Sequence, residues 1–200
     1  MAYKSQNNEA EVVAEYFKHH KGGVLLSLGE NDGETLSNSY DLIAAGWTGI
    51  LVEPGVAPFN KLQHRYARNH TVFAYNFAIG IHTGKGSFCN ASDSLLSTTK
   101  PEQLEKWKTV THKEDQVDFY TFNDARDLFV FKYFDFITID CEGMDWEILQ
   151  QMNLEELGCQ CICVEHNSDM PRYENIKAHC AKYGLVKELL FNGENTILAR

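Results

Sequence analysis

The sequence predicts an α/β fold: a mostly parallel, seven-stranded sheet with helices on both faces and an antiparallel hairpin at its C-terminal end. Three observations carry this expectation. Short apolar runs alternate with amphipathic stretches from Val24 onward, a glycine turn closes the first run, and Asn192-Gly193 separates two final strand-like runs.

Taken in order, Glu9 to His20 sets Val12, Val13, Tyr16 and Phe17 at helical spacing before Gly22-Gly23 stops it. Strand one, Val24 to Leu28, runs into Gly29-Glu30-Asn31-Asp32-Gly33. A helix from about Thr35 to Ala45 follows, with Leu36, Tyr40, Ile43 and Ala44 on one face and Gly46 behind it. Strand two, Gly49 to Glu53, ends in Pro54-Gly55, and Pro58 is suited to start a helix through Phe59, Leu62 and Tyr66. Strand three is Thr71 to Asn76. Short connections between these elements predict parallel strands joined by right-handed crossovers.

The regularity then breaks. Gly80 to about Lys113 reads as a long loop with a Ser/Thr cluster from Ser92 to Thr99 and a short helix from Pro101 to Trp107. Loops of this length in compact domains are usually functional or disordered. This one is expected to cover a substrate, with Trp107 and the run from Ser94 to Thr99 as contacts. Val117 to Phe122 reads as a strand and Asn123 to Phe129 as a short helix. Strand four is Phe134 to Ile139, followed by a helix from Met144 to Met152. Strand five is Cys159 to Val164, and a helix from Pro171 to Tyr183 follows it. The runs Leu185 to Phe191 and Glu194 to Ala199 form the closing hairpin. Residues 1–200 read as one domain, with 80–113 as an insertion.

Composition narrows the partners. The net charge is −10, so a phosphate-tracking surface and a nucleic-acid partner are not expected. The first residues are polar and no run reaches the length of a membrane span, which predicts a cytoplasmic protein without membrane insertion. The six cysteines form no C-x-x-C pair. Cys159, Cys161 and Cys163 alternate, so they are expected on one strand face as small buried side chains in a reducing compartment. Nothing in the sequence sets the oligomeric state.

In a sheet of this kind the ligand sits outside the carboxyl ends of the strands. Those ends read Gly29-Glu30-Asn31, Glu53-Pro54, Asn76-Phe77-Ala78, Asp140-Cys141-Glu142 and Glu165-His166-Asn167. Glu53 follows the glycine turn at close to the roughly 20-residue spacing from which an acid reaches a ribose diol. A pyrophosphate would be repelled by Glu30, Asp32 and Glu34. A sulfonium and an ammonium would not, so the turn favours S-adenosylmethionine over a dinucleotide. The cofactor is expected on Gly29, Glu30, Asn31, Asp32, Gly33, Glu53, Pro54, Asn76, Phe77, Ala78 and Asp140.

The stretches Leu28-Gly29-Glu30-Asn31-Asp32-Gly33, Val52-Glu53-Pro54, Asp135 to Gly143 with its D-x-E-G block, and Val164-Glu165 resemble the FkbM-type S-adenosylmethionine-dependent methyltransferases. The similarity runs from about Val24 to Asn167. It implies a Rossmann-like class I methyltransferase fold and methyl transfer, commonly to a hydroxyl of a sugar or natural product. The chain departs from the family pattern at Ser27, Glu30 and Thr138, where the family commonly has Asp, Ala and Lys.

A hydroxyl is a weak nucleophile, so a base must take its proton. His166 is the first candidate and Glu142 the second, with Asp140 beside them. The ends of strands four and five also occupy positions where catechol-type O-methyltransferases on this fold hold a divalent ion. Here they offer Asp140, Glu165 and His166 or Asn167 for magnesium or manganese. Two other readings stay open: a non-catalytic cofactor-binding or scaffold protein of the same fold, and a nicotinamide-dependent oxidoreductase.

Overall fold

The computed structural model describes residues 3–91, 97–98 and 111–200. The expected helix from Pro101 to Trp107, Trp107 itself, and Ser94 and Thr99 of the hydroxyl run lie outside the described residues.

Ten strands and six helices make up the described chain: α1 (Glu9–Tyr16), β1 (Val24–Leu28), α2 (Tyr40–Ala44), β2 (Thr48–Val52), α3 (Val56–Arg65), β3 (Val72–Tyr75), β4 (Ala78–Ile79), β5 (Gly84–Ala91), β6 (His112–Tyr120), α4 (Phe122–Leu128), β7 (Phe136–Ile139), α5 (Asp145–Leu149), β8 (Cys161–Glu165), α6 (Met170–Ala181), β9 (Lys187–Phe191) and β10 (Asn195–Ala199). The main sheet has the order β3-β2-β1-β7-β8-β10-β9. Its pairings are parallel from β3 through β8, and only β10 runs against its neighbours. This is the seven-stranded arrangement with a closing hairpin that the sequence predicts.

The central strands are buried on both faces, which is why they read as near-continuous apolar runs. Alternate residues divide between two layers. Leu26, Leu28, Ile137, Ile139, Ile162 and Val164 pack with Phe122 and Ala125 of α4, Ile148 and Leu149 of α5, and Ile176 of α6. Leu25, Leu51, Phe136 and Ile197 pack on the other side with Val13 of α1, Leu42 and Ile43 of α2, and Leu62 of α3. Cys161 and Cys163 belong to this second layer, but Cys159 packs in the first. The expected single face for all three fails because β8 starts only at Cys161, so Cys159 lies before the alternation begins.

The second helix is shorter than its apolar spacing predicts. Asp32 accepts the amides of Glu34 and Thr35, and the Ser37 hydroxyl accepts those of Ser39 and Tyr40. These local bonds hold the backbone out of a helix, Leu36 adopts a φ of 56°, and α2 begins only at Tyr40.

The stretch read as a loop from Gly80 holds β5 and the start of β6, which with β4 form a second sheet of order β4-β6-β5. β5 pairs antiparallel with β6 along its whole length, from Gly84 with Phe119 to Ala91 with His112. Its signal was weak because few residues are buried: Phe88 and Cys89 in β5, Val117 and Phe119 in β6. The Phe119 ring fills the space beside Gly86, where a Cβ would come within 2.6 Å of it.

At the other end of the sheet, the Asn192 side-chain oxygen accepts the amides of Glu194 and Asn195 and fixes the hairpin turn. The fully buried Glu9 accepts amide hydrogens from Asn192 and Asn195, tying α1 to that turn. No helix among the described residues is long and apolar enough to cross a membrane.

Candidate functional site

The carboxyl ends of β1, β2, β7 and β8 meet at one rim of the sheet, where two adjoining pockets open. Gly29, Asn31, Asp140 and Glu142 line both.

The glycine turn brings the strand ends together. Gly29 has a φ of +83°, and a Cβ on it would lie 1.7 Å from the carbonyl oxygen of Asp140. Only glycine lets β1 end this close to the end of β7. The amides of Gly29 and Glu30 both donate to the Val52 carbonyl, which couples the turn to β2. Asn31 then adopts a φ of 54°, and its amide donates to Glu53 Oε2 at 2.9 Å. The Gly55 amide donates to Glu53 Oε1 at 2.7 Å. Glu53 is thereby held by two backbone donors and keeps a second lone pair on each oxygen. Burial pushes its pKa up to about 7, against the pull of those two N–H groups.

The acids of the turn are used differently from the expectation. Glu30 is buried and accepts the hydroxyls of Ser37 and Ser39 at 2.7 and 2.8 Å. Burial raises its pKa, and the hydroxyls of Ser27, Ser37 and Ser39 oppose the rise. Asp32 holds the turn through Glu34 and Thr35, and Glu34 pairs with Lys4 and Arg65. The reason is geometric: the chain curls so that Asp32 and Glu34 meet local donors, and of the three acids only Glu30 reaches a pocket wall.

A second turn follows β7. Asp145, at the start of α5, is fully buried; its Oδ1 accepts the Cys141 amide at 2.7 Å and its Oδ2 the Gly143 amide at 3.0 Å. This clamp closes the D-x-E-G block into a turn in which Glu142 has a φ of 47° and reaches both pockets. The Thr98 hydroxyl donates to the Glu142 carbonyl at 2.8 Å. Sequence reasoning passed over Asp145, although an Asp at a helix start directly after such a block is a residue type that captures preceding amides.

The first pocket has an apolar wall of Leu28, Val52, Phe77, Ile79, Phe88 and Met144, with Glu53, Pro54 and Ala78 beside it. The second is polar, with Ser27, Glu30, Asn38, Thr138 and Glu165 among its walls. Of the expected cofactor residues, Gly29, Asn31, Glu53, Pro54, Phe77, Ala78 and Asp140 therefore line the first pocket and Glu30 the second. Asp32, Gly33 and Asn76 line neither. Gly33 sits instead where a Cβ would meet Leu62 at 2.6 Å, and the Asn76 amide donates to the Glu53 and Pro54 carbonyls.

Of the expected bases, Asp140 and Glu142 stand between the pockets, but His166 does not reach them. Its ring is fully buried, stacked on Phe191 at 5.3 Å and tilted against Tyr173 at 5.5 Å. Burial lowers its pKa, and neither ring nitrogen finds a well-formed hydrogen bond. Of the expected metal ligands, Asp140 and Glu165 come together, joined by Asp145 rather than by His166. Burial raises the pKa values of Asp140 and Glu165, and neighbouring carboxylates add to the rise: Asp145 first for Asp140, Asp140 and Asp145 for Glu165.

A mostly parallel seven-stranded sheet whose next-to-last strand in space, β10, is reversed is the Rossmann-like class I methyltransferase fold. The family model of the FkbM methyltransferase domain matches residues 27–184, so the chain belongs to the FkbM methyltransferase family. None of the curated proteins matches it in sequence. Among solved structures it is similar to the METTL16 methyltransferase domain (12% identity, TM-score 0.53), covering 96% of this chain and 65% of that one. It is also similar to the human methyltransferase 10 domain containing protein (12% identity, TM-score 0.51, covering 96% of this chain and 80% of that one). A candidate RNA methyltransferase from Pyrococcus horikoshii is a third (11% identity, TM-score 0.51, 97% and 84% covered). At these identities the likeness is one of fold. The chain spans just under two thirds of the METTL16 domain's length.

Membership of this family implies S-adenosylmethionine as methyl donor, and the first pocket fits it. The apolar wall suits an adenine face, and Glu53 has acceptor capacity left for a diol. Asn31 Oδ1 is a buried acceptor with no partner in the wall of both pockets. An unpaired buried acceptor is costly, and a donor on the ligand would relieve it.

Proposed function

We propose that the protein methylates a hydroxyl of a small molecule, a sugar or a natural product. The observation that carries this reading is the position of Asp140 and Glu142 in the walls of both pockets, between a donor site and an acceptor site. In this reading Glu53 binds the ribose hydroxyls, Phe77 and Ala78 flank the base, and the unpartnered Asn31 Oδ1 accepts from the ammonium. The bound cofactor supplies an electrophilic methyl carbon on a sulfonium.

The chain's own part is to hold an acceptor oxygen in line with that carbon and to receive its proton. As the oxygen–carbon bond forms and the carbon–sulfur bond breaks, the hydroxyl proton passes to Asp140 or Glu142. The raised pKa of Asp140 makes it a stronger base than an exposed carboxylate. The burial of His166 outside both pockets leaves the base role to these carboxylates.

The rim carries Asp140, Glu142 and Glu165, and the whole chain a net charge of −10. Both favour a neutral or cationic acceptor over a polyanion, so the RNA chemistry of a structural neighbour is not carried over. Residues 80–113 serve as the acceptor cover in this reading. It is supported by the bond from Thr98 to Glu142, which lines the second pocket; Phe88 and Ser97 of the same segment border the donor pocket. A pyrophosphate would meet the same carboxylates, which disfavours a nicotinamide enzyme. A non-catalytic cofactor-binding protein is separated from an enzyme only by turnover.

Calorimetry with S-adenosylhomocysteine and with NAD tests the binding half. Transfer of labelled methyl to a panel of sugars and alcohols tests the chemistry. Binding of NAD without S-adenosylhomocysteine would overturn the reading. Cofactor binding with no transfer to any hydroxyl compound would leave the scaffold alternative in its place.

A further inference from the structure

We propose that Asp140, Asp145 and Glu165 form a binding site for one divalent cation at the floor of the second pocket, an inference that rests on the O-methylation reading. The three side chains each offer a carboxylate oxygen, and these oxygens all lie within 4.8 Å of one another. Two oxygens on one ion can be no further apart than twice the metal–oxygen distance, about 4.2 Å for magnesium and about 4.8 Å for calcium. The triad therefore meets the outer limit of a calcium shell, and a closing movement of a few tenths of an ångström brings it within that of the smaller ions.

A second observation points the same way. Glu165 is 8% exposed, and its Oε2 is buried without a hydrogen-bond partner. No ion pair reaches any of the three carboxylates among the described residues; Arg172, which acts on two of them from a distance, lies 3.9 Å from Asp169 instead. Three carboxylates this close, one of them unpaired and buried, are stable only if protons or a cation neutralise them. Asp145 is compatible with ligation although it clamps the D-x-E-G turn, since each of its oxygens accepts one backbone amide and keeps a lone pair.

The surroundings select the kind of cation. All the donors are carboxylate oxygens, with no His or Cys in the set, which suits magnesium, manganese or calcium rather than zinc. Asp145 is fully buried, while Asp140 and Glu165 reach the second pocket beside Asn38 and Thr138. A hard ion bound there keeps positions free toward that pocket, where an acceptor hydroxyl would replace a water beside Glu142, which takes the proton when Asp140 is a ligand.

The test is Mn²⁺ binding to the chelator-treated full chain, followed by electron paramagnetic resonance and calorimetry without donor or acceptor. One ion per chain is expected, with Glu165→Gln weakening it at least tenfold and His166→Gln leaving it unchanged. S-adenosylhomocysteine binding, measured separately without metal, should change less than threefold in Glu165→Gln, because Glu165 does not line the first pocket. No Mn²⁺ binding at millimolar concentration, or binding that Glu165→Gln does not weaken, overturns the proposal. If Glu165→Gln does not fold, Asp140→Asn, at a partly exposed position, decides by the Mn²⁺ measurement alone, since Asp140 also lines the first pocket. Cofactor binding without Mn²⁺ binding rejects the cation alone, and Mn²⁺ binding without cofactor binding rejects the methyltransferase reading instead.

Discussion

The hydroxyl of Thr98 donates to the main-chain carbonyl of Glu142 at 2.8 Å, joining the segment after β5 to the turn that carries the proposed base. Thr98 also pairs with Cys89 through both main-chain bonds, so its position is fixed from the second sheet. A single side chain thus transmits the placement of β5 to the rim. In Thr98→Val the shape is kept and the bond is lost, at a cost of about 1 kcal/mol for a part-buried hydrogen bond. The expected result is a KM for the acceptor raised several-fold with S-adenosylhomocysteine affinity little changed. Equal loss of both affinities would show that the segment supports the donor pocket instead.

Glu53 should make stability depend on pH. Its pKa rises from 4.5 in the unfolded chain to about 7 in the fold. The folded state therefore holds a proton that the unfolded state releases above 4.5. The stability contributed by this group is complete below pH 4.5 and is lost as pH rises through 7. The raised pKa values of Asp140 and Glu165 act in the same direction. Denaturant titrations from pH 5 to pH 8 should show the protein without ligand weakening as pH rises, and Glu53→Gln should flatten that slope. The same variant should bind S-adenosylhomocysteine about tenfold or more weakly, since it removes a charged acceptor. Unchanged affinity would remove Glu53 from the ribose site.

Gly29→Ala tests how closely the two central strand ends approach. The added Cβ would sit 1.7 Å from the Asp140 carbonyl oxygen, and a φ of +83° is unfavourable for alanine. Strain and forced separation together should cost on the order of 3 kcal/mol or more, well beyond a surface substitution. Urea unfolding would measure it. A loss below about 0.5 kcal/mol would mean that β1 and β7 end further apart than described.

The strands were legible because burial on both faces leaves an unbroken apolar signature, as in Leu25-Leu26 and Phe136-Ile137. The hairpin was legible because Asn192 supplies the turn chemistry itself. β5 and the start of β6 were not, since Lys85, Ser87, Lys113 and Glu114 are exposed and give no apolar alternation. In the site, residues at strand ends were legible by position: Gly29, Glu53 and Asp140 are where the topology puts a ligand. What sequence could not give was the direction of each side chain. Asp32 and Glu34 look like pocket acids until local amides and cations are placed beside them, and Asp145 looks like an ordinary helix start until Cys141 and Gly143 turn back onto it.

His166 gives the sharpest test of where the base lies. Its ring is stacked on Phe191 with an interplanar angle of 10° and packs against Tyr173, while its amide donates to the Glu194 carbonyl. These contacts use the ring as an aromatic plate joining β8 to α6 and β9. Burial lowers its pKa, so the neutral ring persists through the neutral range, and a neutral ring with unpaired nitrogens gains nothing from being polar. His166→Phe keeps the stacking area and removes those nitrogens. It should leave kcat within about threefold of the parent and change stability by less than about 1 kcal/mol in either direction. By contrast, Glu142→Gln or Asp140→Asn should lower kcat by about a hundredfold or more, in the range typical for loss of a general base. A hundredfold drop in His166→Phe at unchanged stability would return the base role to the imidazole and require the β9 edge to open during turnover.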